Sequence, residues 1–405
     1  MESLRIMNSL DKLRIALVHY WLVSHRGGER VLEALGQILP QADIFTLFYD
    51  AARTSSSIRQ HRIQTSFLQR LPFSSRWYRS CLPALPLALE AFDLGGYDLV
   101  VSSESGPAKG VLTDPETCHI CYCHTPMRYV WNLYYEYRAR ANWLERLTLP
   151  FVVHYLRQWD LTSASRVDYF VANSHNTARR IRKFYRRESR VIYPPVEVSR
   201  FSVAASTESY YLAVGEMVPY KRLDLAIEAF NRVGGKLLVV GEGPELRGWR
   251  RLAKGNVEFL GHIADEPLAE LYSRCRALIF PAEEDFGIIP LEAQASGRPV
   301  IAYGKGGALE TVVGYKPESG IGPENSTGVF FTRQTVDALV DAVRLFESVE
   351  HRFNTVFIRA HAKRFDVTRF KTEMGEFICE KMAEFRRDAG LIECRIPQTI
   401  EVSER

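Results

Sequence analysis

The sequence has no apolar run of the roughly 18 residues that a membrane-spanning helix needs. Its nearest candidate, Leu82 to Leu89, is short and is broken by two prolines. The first strand-like stretch, Leu13 to Trp21, carries Arg14 and His19 and ends in no small-residue cleavage site, which argues against a signal peptide. These absences predict a cytoplasmic protein without a membrane span.

Cysteine is scarce as well, and its seven copies in 405 residues do not suggest the disulfide framework of a secreted domain. Three of them share a short stretch with two histidines, so a zinc site has to be considered at Cys118, His119, Cys121, Cys123 and His124. The stretch is a single run of strand-forming residues, however, and one strand cannot easily fold four ligands around a tetrahedral ion. We therefore expect no metal and no other cofactor.

Acidic residues are missing between Arg53 and Leu89. Aromatic side chains are interleaved there with six arginines, Arg53, Arg59, Arg62, Arg70, Arg76 and Arg79. The first 198 residues hold 25 Lys and Arg against 18 Asp and Glu, although the net charge of the whole chain is only +4. A basic surface favours an anionic partner, so we expect this segment to contact an anionic membrane or a lipid-linked acceptor, and we expect no nucleic acid. In the alternative interpretation it is an irregular insertion whose arginines pair with acids elsewhere and whose Phe67, Phe73 and Trp77 belong to the core.

The length of the chain suits two domains of about 200 residues each. Apolar runs typical of buried strands alternate with helical patterns, and we predict strands at 12–19, 97–103, 117–123, 169–174, 210–215, 236–240, 257–263 and 276–280. This alternation predicts an α/β protein with doubly wound parallel sheets.

Two carboxylates, Glu284 and Glu292, lie in the stretch from Phe280 to Gly297. We expect Glu284 in the loop past a strand's carboxyl end, where open α/β sheets bind ligands, and Glu292 in the first turn of the following helix. Backbone N–H groups at the helix start make an anion site. Such a unit would fit a nucleotide sugar, with one carboxylate for the sugar and the other for the ribose. Alternatively, the two acids are a solvated loop residue and a helix residue favoured by the dipole.

The whole string from Phe280 to Gly297 resembles the Glu-x7-Glu signature of the retaining glycosyltransferases of family 4. Their fold is called GT-B and consists of two Rossmann-like, doubly wound domains that face each other across a cleft. The resemblance continues in the Gly-Gly-x-x-Glu loop that ends at Glu310, in the Gly-Gly-x-Glu-Arg element that ends at Arg30, and in the His-Thr-Pro-Met-Arg-Tyr string that begins at His124. It implies an acceptor-binding domain at 1–198, a donor-binding domain at 199–364, a helix at 365–388 that crosses back, and a loose tail at 389–405.

The resemblance also implies the site residues. His124 and Glu284 would act near the donor sugar, and Lys221 would neutralise the diphosphate. The donor would further contact Gly27, Gly28, Glu216, Arg222, Gly261, His262, Ile263, Asp285, Phe286, Gly287, Ile288, Ile289 and Glu292. Glu216 stands where the family usually has an arginine, so Arg222 or a cation of the first domain would have to compensate.

The activity implied is retaining hexosyl transfer by front-face displacement, in which no enzyme nucleophile takes part and the leaving diphosphate helps to deprotonate the acceptor. The His124 string resembles a bacterial mannosyltransferase subgroup, which implies GDP-mannose as donor and a lipid-linked saccharide as acceptor in surface polysaccharide synthesis. This function is compatible with a peripheral position on the inner face of the plasma membrane. A UDP-sugar donor and a non-catalytic module that only binds a nucleotide sugar are the alternatives.

Overall fold

The computed structural model describes residues 12–24, 27–70, 78–318 and 320–390 and Leu10, with the backbone alone at 78–80 and 140. Its strands are β1 (Ile15–His19), β2 (Asp43–Thr46), β3 (Ile63–Thr65), β4 (Leu99–Glu104), β5 (Cys118–Cys123), β6 (Tyr169–Ala172), β7 (Arg190–Val191), β8 (Tyr210–Val214), β9 (Lys236–Val240), β10 (Val257–Gly261), β11 (Leu278–Phe280), β12 (Val300–Tyr303), β13 (Gly314–Tyr315) and β14 (Gly328–Phe331). The α-helices are α1 (Gly27–Ile38), α2 (Leu85–Glu90), α3 (Tyr134–Arg140), α4 (Trp143–Ser163), α5 (His175–Tyr185), α6 (Leu223–Val233), α7 (Leu246–Leu252), α8 (Asp265–Arg274), α9 (Ile288–Ala295), α10 (Ala308–Thr311), α11 (Val336–Val349), α12 (Thr355–Lys363) and α13 (Val367–Asp388).

The strands form two seven-stranded sheets in which every described pair is parallel. The first sheet has the order β3-β2-β1-β4-β5-β6-β7, and the second has the order β10-β9-β8-β11-β12-β14-β13. In both sheets the order reverses at the first strand, so the switch points lie between β1 and β4 and between β8 and β11. The predicted α/β fold with two doubly wound domains is confirmed.

The central strands of the first sheet explain this architecture. Every residue of β1, β4 and β5 is buried, as expected for a parallel sheet covered on both faces. One face packs on α1 and α13, and the other packs on α2 and α4. Strand β4 begins at Leu99, two residues later than predicted. Just ahead of it, the Asp98 carboxylate accepts a hydrogen bond from the Arg14 backbone N–H.

The last helix returns to the first sheet. The Val196 N–H donates to the Phe365 carbonyl, and the Val367 N–H donates to the Val196 carbonyl. The two connecting segments therefore run side by side. Beyond this point α13 places Phe370 and Met374 in the apolar cluster beneath the first sheet. Residues 391–405, which include most of the predicted loose tail, lie outside the described residues.

The described part of the basic segment 53–89 contains short helical turns, a seven-residue helix at Tyr78–Ala84, the short strand β3 and most of α2. Leu68, Leu85 and Leu89 are buried in the core, while Arg53, Arg59, Arg62 and Arg70 are exposed. Phe73, Arg76, Trp77 and the side chain of Arg79 lie outside the described part of the chain. Within that part, no helix is both long enough and apolar enough to cross a bilayer.

Candidate functional site

Lys221 and Glu284 meet at the switch point of the second sheet. Lys221 lies in the connection after β8 and Glu284 lies in the connection after β11, and these two strands are neighbours. The Lys221 Nζ forms a hydrogen-bonded ion pair with Glu284 Oε1, and both side chains are largely buried. Open α/β sheets bind their ligands in such a crevice. The two residues predicted to serve the diphosphate and the sugar are therefore in direct contact.

The surroundings of Lys221 keep its ammonium group charged. Burial tends to lower the pKa of Lys221, but the negative charge of Glu284, together with Tyr220 and Glu216, raises it above its ordinary value. Glu216 therefore acts on Lys221 electrostatically from the position where the family usually has an arginine. Arg222 forms an ion pair at 3.2 Å with Asp224, which lies two residues later in the first turn of α6.

Glu292 is held by both domains. Its carboxylate accepts a hydrogen bond from Tyr272 Oη at 3.0 Å and another from Arg30 Nη1 of the first domain at 2.6 Å. The side chain is almost fully buried. Helix α9 already begins at Ile288, because Gly287 has a φ of 99° and turns the chain into the helix early. The expected place of Glu292 in the first turn is therefore wrong, and it lies in the second turn.

Arg30 carries a second acidic contact. Its guanidinium lies 3.6 Å from Asp265 at the start of α8, and Arg200 reaches the same Asp265 at 2.8 Å. Burial tends to lower the pKa of Arg30, but Glu292 and Asp265 raise it, and the net change is upward. A partly buried cation of the first domain is thus fixed between two acids of the second.

Asp285 also contacts the first domain. Its carboxylate pairs with Arg180 of α5 and lies 3.5 Å from Arg128, while its carbonyl accepts a hydrogen bond from Ser174 Oγ at 2.7 Å. Arg128 further lies over the Tyr220 ring, 5.4 Å from its centroid. The loop that follows His124 therefore contacts the loops that carry Lys221 and Glu284.

The Gly-Gly-x-x-Glu loop packs against the loop that carries Glu284 and Asp285. The Gly307 N–H donates to the Glu284 carbonyl at 2.8 Å. A Cβ on Gly307 would stand 2.3 Å from the Phe286 Cα, so only glycine permits this approach. At the end of the loop, Glu310 accepts hydrogen bonds from His175 N and Asn176 N at 2.8 and 2.9 Å and so caps α5 across the cleft.

His124 occupies the corresponding edge of the first sheet, directly after β5. Its Nε2 lies 2.9 Å from Ser103 Oγ at the end of β4. Burial lowers the pKa of His124 to about 4, so the imidazole is neutral at physiological pH. His19 at the end of β1 lies nearby, and burial is the main cause that lowers its pKa to about 3.

Gly27 and Gly28 form the first turn of α1 instead of a loop ahead of it. A Cβ on Gly28 would stand 3.0 Å from Tyr20 Oη and 3.9 Å from His124 Nε2. A Cβ on Gly27 would stand 2.8 Å from the Ile288 side chain of the other domain. The glycine pair therefore lets the helix start approach both His124 and α9.

The remaining predicted donor residues have mixed environments. Gly261 ends β10 with a φ of 70°, His262 is exposed, and Ile263 packs against the apolar core of the second domain. The ring of Phe286 is buried and stacks on Tyr193 at 5.4 Å, so it contributes to packing. Ile289 is half-buried at the start of α9. In the described ranges, no group of three or more His, Cys, Asp or Glu could hold a metal ion.

Sequence reasoning did not assign a role to four residues that contact the site, Arg30, Arg128, Arg180 and Tyr272. Arg30 closes the Gly-Gly-x-Glu-Arg element and Arg128 belongs to the His124 string, so the motifs themselves contained a signal for these two. Arg180 is one of six cations at 179–187, and its sequence context does not separate it from the others.

Two family profiles match the chain. The profile described as Glycosyl transferases group 1 matches residues 196–364, and that described as Glycosyltransferase Family 4 matches residues 25–200. Together they extend from the start of α1 to the end of α12 and meet where the two domains are joined.

Curated relatives include mannosyltransferases. The chain is 31% identical to the O-antigen chain mannosyltransferase RfbU of Salmonella typhimurium over 34% of this chain and 43% of that protein. It is 28% identical to a GDP-mannose-dependent alpha-(1-6)-phosphatidylinositol monomannoside mannosyltransferase of Mycobacterium tuberculosis, over 44% of this chain and 46% of that protein. The alignments thus span just under half the length of these relatives.

Solved structures share the fold. Sucrose-phosphate synthase from Thermosynechococcus elongatus superimposes with a TM-score of 0.67 at 18% identity, covering 92% of this chain and all of that one. HepE of Anabaena in complex with UDP and glucose gives a TM-score of 0.66 at 16% identity, covering 90% of this chain and 99% of that one. With its two parallel sheets, the Glu-x7-Glu unit at their cleft and both profile matches, the chain belongs to glycosyltransferase family 4.

Proposed function

We propose that this protein is a retaining glycosyltransferase that transfers mannose from GDP-mannose to a lipid-linked saccharide in surface polysaccharide synthesis. The observation that carries the proposal is the Lys221–Glu284 pair at the switch point of the second sheet. It joins a cation suited to a diphosphate with a carboxylate suited to sugar hydroxyls. The two relatives reported above are both named as mannosyltransferases, and the name of one states that it depends on GDP-mannose. These names support mannose as the sugar and guanosine as the nucleoside of the donor.

The donor would lie along the carboxyl ends of the second sheet. Glu292 would bind the ribose hydroxyls, and Gly261, His262 and Ile263 would contact the base. The N–H groups at the start of α9 and the Gly27–Gly28 turn of α1 would face the diphosphate from the two domains. Arg222, Asp285 and Phe286 would then position these loops, since each is engaged within the protein.

In the reaction, the bond between C1 of mannose and the β-phosphate oxygen breaks while an acceptor hydroxyl oxygen bonds C1 from the same face. The acceptor proton passes to the leaving diphosphate oxygen. Lys221 would stabilise the charge that grows on this group, and such preorganised donors are worth about 10²- to 10³-fold each. A neutral His124 would donate or accept a hydrogen bond at the sugar, where Glu284 would bind from the other side.

The proposal includes no metal and no cofactor, because Lys221 and helix N–H groups would neutralise the diphosphate. It includes a peripheral position on the cytoplasmic face of a membrane, because a lipid-linked acceptor is confined there. The basic first half of the chain supports this position.

A panel of nucleotides and nucleotide sugars tests the donor. Thermal unfolding is followed with GDP, UDP and ADP and with GDP-mannose, UDP-glucose and ADP-glucose, and donor hydrolysis is followed in parallel by release of free sugar. We expect GDP and GDP-mannose to raise the unfolding temperature most and GDP-mannose alone to be hydrolysed. A stronger response to UDP and UDP-glucose would mean that the donor is a UDP-sugar. Stabilisation without turnover, even in the presence of lipid acceptors, would indicate a module that only binds a nucleotide sugar.

A further inference from the structure

A row of large apolar side chains on α3 and α4 of the first domain faces solvent. Trp143 is 78% exposed and Phe151 is 75% exposed. Five further large side chains of these helices are exposed, Tyr135, Tyr137, Leu144, Leu147 and Tyr155. We call these seven residues the aromatic stripe. Single exposed apolar residues are normal on a protein surface, but a contiguous group marks an interaction site.

Helix geometry makes the stripe continuous. Trp143, Leu147, Phe151 and Tyr155 recur every fourth residue, so they lie along one side of α4 over about 18 Å. The fully buried residues of this helix begin only at Val153, ten residues after its start. Every residue from 143 to 148 is exposed, so the first part of α4 does not cover the core of its own domain.

A cationic helix lies beside α4. Helix α5 exposes Arg179, Arg182 and Lys183, and Arg186 at its end is exposed as well. The spacing of these four cations places them on one face. The two helices are joined because Tyr185 Oη donates to Asp160 Oδ2 at 2.9 Å. Among the charges close to this face, Arg182 pairs with the exposed Glu188 at 3.2 Å.

The same helices are connected to the candidate site. Trp131, which lies two residues after the His124 string, donates from Nε1 to Asp160 Oδ2 at 2.7 Å and stacks on Phe184 of α5 at 4.7 Å. Arg157 of α4 donates to the Val130 carbonyl at 2.6 Å. A surface that holds α4 and α5 would therefore lie next to the loop that follows His124.

We propose that the aromatic stripe and the cationic face of α5 dock the enzyme onto an anionic lipid bilayer. The inference rests on the proposed function to the extent that a lipid-linked acceptor requires such docking. Trp and Tyr favour the region between headgroups and acyl chains, and neighbouring Arg and Lys favour anionic headgroups. Charge complementarity selects a bilayer over a second copy of this chain, since a copy would bring the same cations together.

The stripe is a different surface from the basic segment 53–89. Among the described residues of that segment, Phe67 and Leu87 are the large apolar side chains that are exposed. Its arginines would add attraction, whereas insertion would depend on α3 and α4. An amphipathic helix of this kind lies in the plane of the interface and does not cross the bilayer.

Vesicle sedimentation tests the docking surface. The parent protein is compared with a Trp143→Ser/Leu147→Ser/Phe151→Ser variant on vesicles of phosphatidylcholine with 30% phosphatidylglycerol at low salt. We expect the variant to lose at least about 10-fold in partition coefficient, because each removed side chain would otherwise be taken out of water. The matched control, Val203→Ser/Leu252→Ser/Val356→Ser, removes three exposed apolar residues of the second half of the chain and should sediment like the parent.

The cationic face is tested separately with Arg182→Glu/Lys183→Glu. This variant should lose binding to the anionic vesicles, and the binding of the parent should weaken as salt rises. Vesicles of pure phosphatidylcholine should bind the parent weakly. A parent that does not bind anionic vesicles, or a stripe variant that binds like the control, would overturn the proposal.

A second measurement does not depend on the triple variant folding. Lipids with a spin-labelled acyl chain should quench the fluorescence of the parent more than that of Trp143→Phe, and equal quenching would exclude insertion of Trp143. Concentration-dependent association of the parent that disappears in the stripe variant, without vesicle binding, would assign the surface to a second copy and reject the bilayer. GDP binding and GDP-mannose hydrolysis by the parent are measured separately, without vesicles. If the parent neither binds GDP nor hydrolyses GDP-mannose, the proposed function is rejected, while the result on docking still holds.

Discussion

The two glutamates of the Glu-x7-Glu unit are held in different ways. Glu284 pairs with Lys221, and both belong to loops of the second sheet. Glu292 is bonded to Tyr272 of the same domain and also to Arg30, which belongs to the first domain. One carboxylate is therefore held within a single domain, while the other is held from both domains.

This difference separates two tasks. A cation and carboxylate within one domain keep their geometry when the cleft opens, so the Lys221–Glu284 pair can be ready before the donor arrives. If Glu292 binds a ribose, the Arg30–Glu292 contact would have to be broken or shared, and nucleotide binding would then be coupled to domain closure. Variants of the first pair should therefore act on turnover, and variants of the second should act on nucleotide affinity.

The largest effect is expected at Lys221. Lys221→Ala should lower kcat for GDP-mannose by at least about 10²-fold, because the charge on the leaving diphosphate loses its nearest cation. Lys221→Arg serves as control and should retain part of the activity. Steady-state kinetics of sugar release measure the effect, and kinetics equal to those of the parent would refute the role.

Glu292→Ala should weaken GDP binding by about 10- to 150-fold, as expected when a charge-assisted hydrogen bond worth about 1.5–3 kcal/mol is lost. Isothermal titration with GDP measures the affinity. Because Glu292 is buried, the fold of the Glu292→Ala variant must be verified. Glu292→Gln, which keeps the shape of the side chain, serves as a second variant. A folded Glu292→Ala protein with unchanged GDP affinity contradicts the assignment.

The sequence predicts the parts of this site that depend on local pattern. Apolar runs and glycine turns locate β8, β11 and the loops with Lys221 and Glu284, because each loop directly follows its strand. The Arg30–Glu292 contact joins residues 262 positions apart, and no local pattern encodes it. Its existence depends on how the two domains close.

The same limit applies to α4. Apolar residues at helical spacing, such as Trp143 and Leu147, are typical of a core-facing stripe, yet both are exposed. Which side of a helix faces the core is decided by the elements that pack on it, and here Val153 and Leu156 face inward. Periodicity alone therefore cannot identify the surface that remains open.

His124 and Glu284 should differ from Glu292 in leaving GDP binding near normal. His124→Ala and Glu284→Gln are each expected to lower kcat by about 10-fold, the scale of one hydrogen bond made in the transition state. The pKa of His124 is about 4, so the parent should show no titration of this imidazole in its rate profile between pH 6 and 8. Loss of GDP affinity in both variants would place the two residues at the nucleotide instead of the sugar.

The smallest effect is expected at Arg30, and it tests the comparison most directly. If the Arg30–Glu292 pair competes with the ribose, Arg30→Ala should tighten GDP binding by up to about fivefold, since a partly exposed ion pair is worth at most about 1 kcal/mol. Turnover should fall in the same variant, because domain closure loses one of its contacts. Arg200→Ala removes the neighbouring contact to Asp265 without touching Glu292 and should leave GDP affinity unchanged. Titration calorimetry with GDP on both variants distinguishes the outcomes. Weaker GDP binding in Arg30→Ala alone would mean that Arg30 contacts the nucleotide itself. The two glutamates would then not divide nucleotide binding and turnover between them.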